Sequence, residues 1–155
     1  MDPIVRWATA ADIRAIAALR TRWSPPKASF ADRDVDEFAG LLRDWVEDAG
    51  DRYLCAIAEL DGELVGMASL VMFDRVPNPD QPRRLAGDIQ SVYVEPEHRG
   101  RGLGRQLVEL LIDEADRRGI AKLTADSSEE ALPLYRRLGF TESPLLLQRQ
   151  NPTSP

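Results

Sequence analysis

Apolar positions recur along this chain with two different periods. Leu103, Leu107, Leu111 and Ala115 lie four apart, with Val108, Leu110 and Ile112 beside them. That spacing lines one face of a helix over about 102–118, and Gly119 follows as a stop signal. Val35, Phe38, Leu42, Trp45, Val46 and Ala49 repeat at threes and fours, which predicts a helix over 34–49. On this face Trp45 reads as core. Ile13, Ile16 and Ala17 give a shorter helix reaching about Arg22. Thr9 and Asp12 stand at capping-box spacing before it, and Pro25-Pro26 break it. A fourth helix is predicted over 129–138, closed by Gly139. Pro133 fits only a first turn, which moves its start toward Leu132.

The remaining apolar runs are short and β-rich. Residues 4–7 and 53–60 read as strands, and Asp61-Gly62 is a tight-turn dipeptide that returns the chain through 64–73. Pro77, Pro79 and Pro82 mark a loop over 74–86. A strand follows over 87–94, ended by Pro96. Further strands are predicted at 120–125, 140–141 and 145–148. The order is β α α β β β α β α β β. The Asp-Gly hairpin demands antiparallel pairing, and the late strand–helix–strand unit demands a right-handed crossover and a parallel pair. The expected fold is α/β: a mixed, mostly antiparallel central sheet with helices on both faces. A length of 155 residues suits one domain, taken as 1–149. The last six residues, 150–155, hold no apolar side chain and two prolines, and read as a disordered tail.

Composition narrows the function classes. The chain is 43% hydrophobic and 30% charged, a globular balance. No apolar run approaches the roughly 18–20 residues of a membrane span. No basic-then-apolar leader is visible at Met1-Asp2-Pro3, and one cysteine, Cys55, cannot form an internal disulfide. A cytoplasmic location is therefore expected. A net charge of −6 argues against a broad nucleic-acid surface. A lone histidine and a lone cysteine offer no metal-ligand cluster, so no metal is expected.

Candidate chemistry concentrates between Asp88 and Gly104. A strand ends at Val94, a turn carries Arg99, Gly100, Arg101 and Gly102, and a long helix begins at Leu103-Gly104. Free N–H groups and partial positive charge at a helix N-terminus suit an anion such as phosphate, and glycines let the backbone approach it. Neither a Gly-Lys-Ser/Thr phosphate loop nor a Gly-x-Gly-x-x-Gly fingerprint is present. A glycine turn with solvated arginines has the same spacing.

Arg99-x-x-Gly102-x-Gly104 resembles the turn that holds the CoA pyrophosphate in the GNAT superfamily of acyl-CoA-dependent N-acetyltransferases. Leu134-Tyr135-Arg136-Arg137-Leu138-Gly139-Phe140 is similar to that family's Leu-Tyr-x-x-x-Gly-Phe segment. Val92-Tyr93-Val94-x-Pro96, the opening Arg6–Asp12 segment and the hairpin through Gly66 fit as well. The resemblance covers nearly the whole chain. It implies a bulged strand splayed from its parallel neighbour, with the pantetheine arm of acetyl-CoA lying in the gap against the backbone of Val92 and Val94. It makes Arg99, Gly100, Arg101, Gly102, Leu103 and Gly104 the pyrophosphate cradle. Many relatives carry an Asn just after the following strand; this chain has Asp126-Ser127-Ser128, and Ser127 or Ser128 is the expected substitute.

The resemblance also implies roles. Tyr135 is expected to protonate the departing CoA thiolate. Asp88 falls where some relatives carry a carboxylate base, although a strand-edge Asp is more often solvated. Trp23 and Phe30 flank the proline pair where the family walls its acceptor site. Glu95, Glu97 and His98 read as loop surface. Eight acidic and three basic residues between Asp32 and Arg52 form either a solvated face or a field for a cationic amine. The expected activity is acetyl transfer from acetyl-CoA to a primary amine, on a small molecule or a peptide, by direct attack. The alternatives are an inactive acyl-CoA-binding sensor or partner domain, and a plain nucleotide-binding α/β domain. A homodimer is left open.

Overall fold

The structure, a computed structural model, describes residues 1–24 and 34–154. Its elements run β1 Ile4–Trp7, α1 Ile13–Trp23, α2 Val35–Ala49, β2 Tyr53–Leu60, β3 Glu63–Arg75, β4 Arg84–Val94, α3 Leu103–Arg117, β5 Lys122–Ala125 and α4 Leu132–Arg137. The five strands pair in sequence order. Three pairings are antiparallel and β4–β5 is parallel, so the mixed α/β sheet expected from the sequence forms.

Local chemistry explains most boundaries. Asp61 and Gly62 both take positive φ, 51° and 84°, as a tight hairpin turn requires. The Asp12 carboxylate accepts from the Thr9 N–H at 2.7 Å and from both terminal nitrogens of Arg6 at 2.9 Å. This pins the entrance of α1 to β1. Asp34 caps α2 by accepting from the Glu37 N–H at 2.7 Å. Gly119 closes the turn after α3 with φ +71°.

Two cores lie on opposite faces of the sheet. On one, Leu103, Leu107, Val108, Leu111 and Ala115 of α3 pack on Ala56, Ala68, Leu70 and Ile89. Each such leucine contributes roughly 1.5–3 kcal/mol. On the other, Ile16 and Leu19 of α1 pack on Cys55, Ile57, Met67 and Tyr93.

Three expectations are corrected. The 74–86 loop shrinks to 76–83, because β3 and β4 stay paired out to Arg75↔Arg84; all three prolines fall within the shorter loop. The strands at 140–141 and 145–148 do not form. Leu145 and Leu147 are 88% and 90% exposed, and Pro144 removes a backbone donor just before them, so the apolar run joins no ladder. Trp45 is 47% exposed and meets Tyr53 edge-on at 4.9 Å, at the rim of the core rather than inside it.

Candidate active site

The site begins with a defect in β4. Met67 pairs with Tyr93 but Ser69 pairs with Gln90, so β4 carries one extra residue there. Ser91 takes φ +57°, a conformation non-glycine residues seldom adopt. Parallel pairing with β5 stops at Ile89↔Ala125. Beyond it, Gln90 to Val94 keep β3 on one side and have no β5 partner on the other.

A cleft of about 770 Å³ opens along that unpaired stretch, within the roughly 300–1,000 Å³ of ligand sites. Val92 and Val94 form one wall, and Ser127, Leu134 and Tyr135 form the opposite wall. Its end is the turn from Arg99 through Gly100 and Gly102 to Leu103 and Gly104. Gly100 and Gly102 take φ +76° and +77°, and a Cβ at Gly104 would point at Leu134 and Val94, 3.7 and 4.0 Å away. The backbone is thus bare at the N-terminus of α3, where free N–H groups face the cleft's end.

The arginines are unequal. Arg105 pairs with Glu109 at 2.7 Å. The Arg99 Nε donates to the Val94 carbonyl at 2.9 Å, and its guanidinium lies 5.7 Å over the Tyr93 ring. Arg99 therefore fastens the turn to β4 and occupies one of the carbonyl's two lone pairs. Arg101 does not line the cleft, whereas Arg137 of α4 does. Among the described residues, Arg99, Arg101 and Arg137 have no carboxylate partner, which leaves their charge for an anion.

Tyr135 is 6% exposed, packs edge-on against Phe140 at 5.2 Å and lines the cleft. Burial raises its pKa, and the charge of Asp88 raises it further. The phenol therefore stays protonated at neutral pH. Asp88 does not line the cleft. Its carboxylate accepts from Thr124 Oγ1 at 2.6 Å and from Gln90 Nε2 at 2.9 Å, beside the last rungs of the β4–β5 ladder. Ser127 lines the cleft, and its hydroxyl donates to the Ser128 carbonyl at 2.8 Å. Burial pushes the Cys55 thiol pKa up, so it is a packed thiol and not a poised nucleophile.

At the cleft mouth Trp23 stacks on Tyr93, ring centroids 5.5 Å apart. Tyr93 donates to Glu95 at 3.0 Å, and Arg22 donates to the same carboxylate at 2.7 Å. Glu95, read from sequence as loop surface, thus ties α1 to the end of β4. The signal was its two-residue spacing from Tyr93 along one strand face. His98 lines the cleft, and its Nδ1 is buried with no partner among the described residues. Phe30 lies outside the described residues. No residue of α2 lines the cleft, so the acidic run on that helix stands apart from the site. Among the described residues, no group of three or more His, Cys, Asp or Glu could hold a metal.

Comparison with known proteins agrees with this geometry. The model of the acetyltransferase (GNAT) family matches residues 13–140. The chain is 40% identical over 79 residues to glucosamine 6-phosphate N-acetyltransferase of Trypanosoma brucei brucei, a match covering 51% of this chain and 52% of that protein. It is 29% identical over 122 residues to the ribosomal protein bS18 alanine N-acetyltransferase of Escherichia coli K12, covering 76% of this chain and 75% of that one. Among solved structures, a predicted acetyltransferase with acetyl-CoA from Clostridium acetobutylicum superposes with a TM-score of 0.78, at 22% identity over 96% of both chains. A bulged β4 parting from β5, a bare glycine turn heading α3 and a family match over most of the length lead to one assignment: the chain belongs to the GNAT acetyltransferase family.

Proposed function

We propose that this protein transfers an acetyl group from acetyl-CoA to a primary amine by direct attack, without a covalent enzyme intermediate. One observation carries the reading: the unpaired edge of β4 from Gln90 to Val94, running to the bare turn at Gly100–Gly104. An extended chain bearing amides at one end and phosphates at the other fits such a slot. Main-chain groups of Val92 and Val94 would hold the amide-bearing arm. N–H groups from Gly100 to Gly104 would hold the pyrophosphate, with Arg99 steadying the turn, Arg101 and Arg137 adding charge, and Ser127 on the facing wall.

In the proposed step the amine nitrogen bonds to the thioester carbonyl carbon and the carbon–sulfur bond breaks. Tyr135 gives its proton to the leaving sulfur. Asp88, through water, takes the proton the amine must lose. The raised thiol pKa of Cys55 supports direct attack over an acyl-cysteine route. The relatives named above, acting on an amino sugar phosphate and on a protein alanine by their names, support an amine acceptor.

A second reading, an acyl-CoA-binding domain without turnover, draws on the fact that Asp88 stands off the cleft wall. Incubating the protein with acetyl-CoA and a panel of amines separates the two. Release of free thiol together with a 42-dalton gain (roughly, one acetyl for one hydrogen) on an amine supports transfer. Saturable acetyl-CoA binding with no thiol release above background across the panel overturns it.

A further inference from the structure

The face of the sheet under α1 carries a polar row that the proposed chemistry does not use. Tyr53 meets Ser69 at 3.2 Å across β2 and β3, Gln90 pairs with Ser69 in register, and Ser91 follows at the bulge. The opposite face at the same level is apolar, with Ala56, Ala68, Leu70 and Ile89. Above this row stands Arg20, in the last turn of α1, half-buried by α1 and the sheet.

Arg20 is unusual among the arginines of α1. Arg14 and Arg22 each pair with a carboxylate at 2.7 Å. Arg20 makes one hydrogen bond, from Nη1 to Ser91 Oγ at 2.5 Å, and no ion pair among the described residues. Burial raises the pKa values of Tyr53 and Cys55, and the Arg20 charge opposes that rise, which sets the guanidinium near both side chains. A guanidinium carries five donors, and a half-buried cation without a counterion among the described residues is a standing cost. Ser91, which it grips, lines the cleft. Trp23, one turn further along the same face of α1, lines it too. Arg20 does not itself line the cleft; it stands behind Ser91, on the face of the sheet opposite α3.

We infer that Arg20, with Ser91, forms a subsite for a compact anionic group, carboxylate or phosphate, on the acceptor. The preferred acceptors are then amines that also carry an anion. This rests on the acetyl-transfer reading above and adds a substrate class to it. The planar fork of Arg20 can accept such an oxyanion while keeping the Ser91 bond, because only one of its donors is engaged.

Paired probes test it: glucosamine 6-phosphate against glucosamine, and an α-amino acid against its amide, with wild type, Arg20→Gln and Arg20→Lys. The wild type should favour the anionic member of at least one pair in kcat/KM. Which pair responds separates phosphate from carboxylate. Arg20→Gln should lose at least ~10-fold on that member, mainly through KM, and change little on the uncharged one; Arg20→Lys should recover part of the loss. Thermal shift of the CoA-saturated protein by the same probes reads binding without turnover, and should show the anionic member stabilising wild type but not Arg20→Gln. An equal loss on both members, or no anion preference in either measurement, overturns the subsite and leaves Arg20 as a clasp on the bulge. Failure of acetyl-CoA itself to shift the wild type overturns the underlying reading instead.

Discussion

Asp88 acts on Tyr135 at the point where β4 and β5 part: its charge lifts the phenol pKa, adding to the larger effect of burial. A proton arriving at Asp88 cancels that second contribution. In the proposed reaction the amine's proton goes to Asp88 and Tyr135's proton goes to sulfur. Protonating Asp88 discharges it and so makes Tyr135 a stronger acid when the thiolate needs its proton. This matters because a phenol near ~10 and a thiol near ~8.5 leave the transfer uphill by about 2 kcal/mol, and the structure raises the phenol further.

Asp88→Asn removes both the proton acceptor and the charge. A lysine-like amine of pKa ~10.4 holds its proton at pH 7 with about 4.6 kcal/mol, from roughly 3.4 units at 1.36 each. Activity should fall most near neutral pH and recover partly above pH ~9, where free amine is abundant. The same variant should let Tyr135 ionise at lower pH, read as phenolate absorbance against Tyr135→Phe. An unchanged pH–rate profile removes Asp88 from the mechanism.

Tyr135→Phe keeps the ring against Phe140 and deletes only the hydroxyl. It should lower kcat by at least ~10-fold, under the usual ~10²–10⁴ of general acids, with acetyl-CoA affinity little changed. Steady-state kinetics and calorimetric titration check the two halves. Normal kcat makes Tyr135 a packing residue. Lost acetyl-CoA binding makes its hydroxyl a ligand contact.

Gly104→Val tests the slot without straining the backbone, since Gly104 sits in the first turn of α3 and its Cβ would have 3.7 Å to Leu134. The branched side chain bridges toward Val94 and narrows the gap. Acetyl-CoA should bind at least ~10-fold more weakly, about 1.4 kcal/mol, while the melting temperature holds. Unaltered affinity contradicts a ligand running between Val94 and Leu134.

The α1 entrance gives a stability prediction. Hydrogen bonding from Arg6, opposed by burial and aided by Thr9, holds Asp12 well below its ordinary 3.8. A carboxylate with a lowered native pKa stabilises the fold above its unfolded value, and loses that contribution as pH falls toward the native one. Asp12→Asn should cost about 1 kcal/mol at pH 7 through the lost cap and ion pair. The gap to wild type should shrink below pH ~3.8. Urea unfolding at both pH values measures it.

The sheet, the helices and the glycine turn were legible because each rests on local chemistry: the 3–4 spacing of α3, the Asp61-Gly62 turn and Pro133 in the first turn of α4. Other features depend on partners distant in sequence. Leu145–Leu147 has a strand's composition, but it joins neither edge strand, β1 or β5, and stays exposed. The bulge at Ser91 rests on register against β3, invisible along β4 alone; only the resemblance announced it. Glu95 read as loop surface and nothing along the chain singled out Arg20 or Arg22; their meaning comes from contacts spanning about seventy residues. Trp23 lines the cleft, whereas Arg101 does not.

The proposed seat of acetyl-CoA is tested most directly by calorimetric titration of the wild type and of Gly102→Glu. Gly102 takes φ +77° at the head of α3, and a glutamate there adds strain of roughly 1–2 kcal/mol together with negative charge where phosphate would approach. Circular dichroism establishes that the variant remains folded. Saturable acetyl-CoA binding by the wild type, lost in the folded variant, is the predicted result. Equal binding by both, or none by the wild type, contradicts a cofactor seated along β4 and the α3 turn.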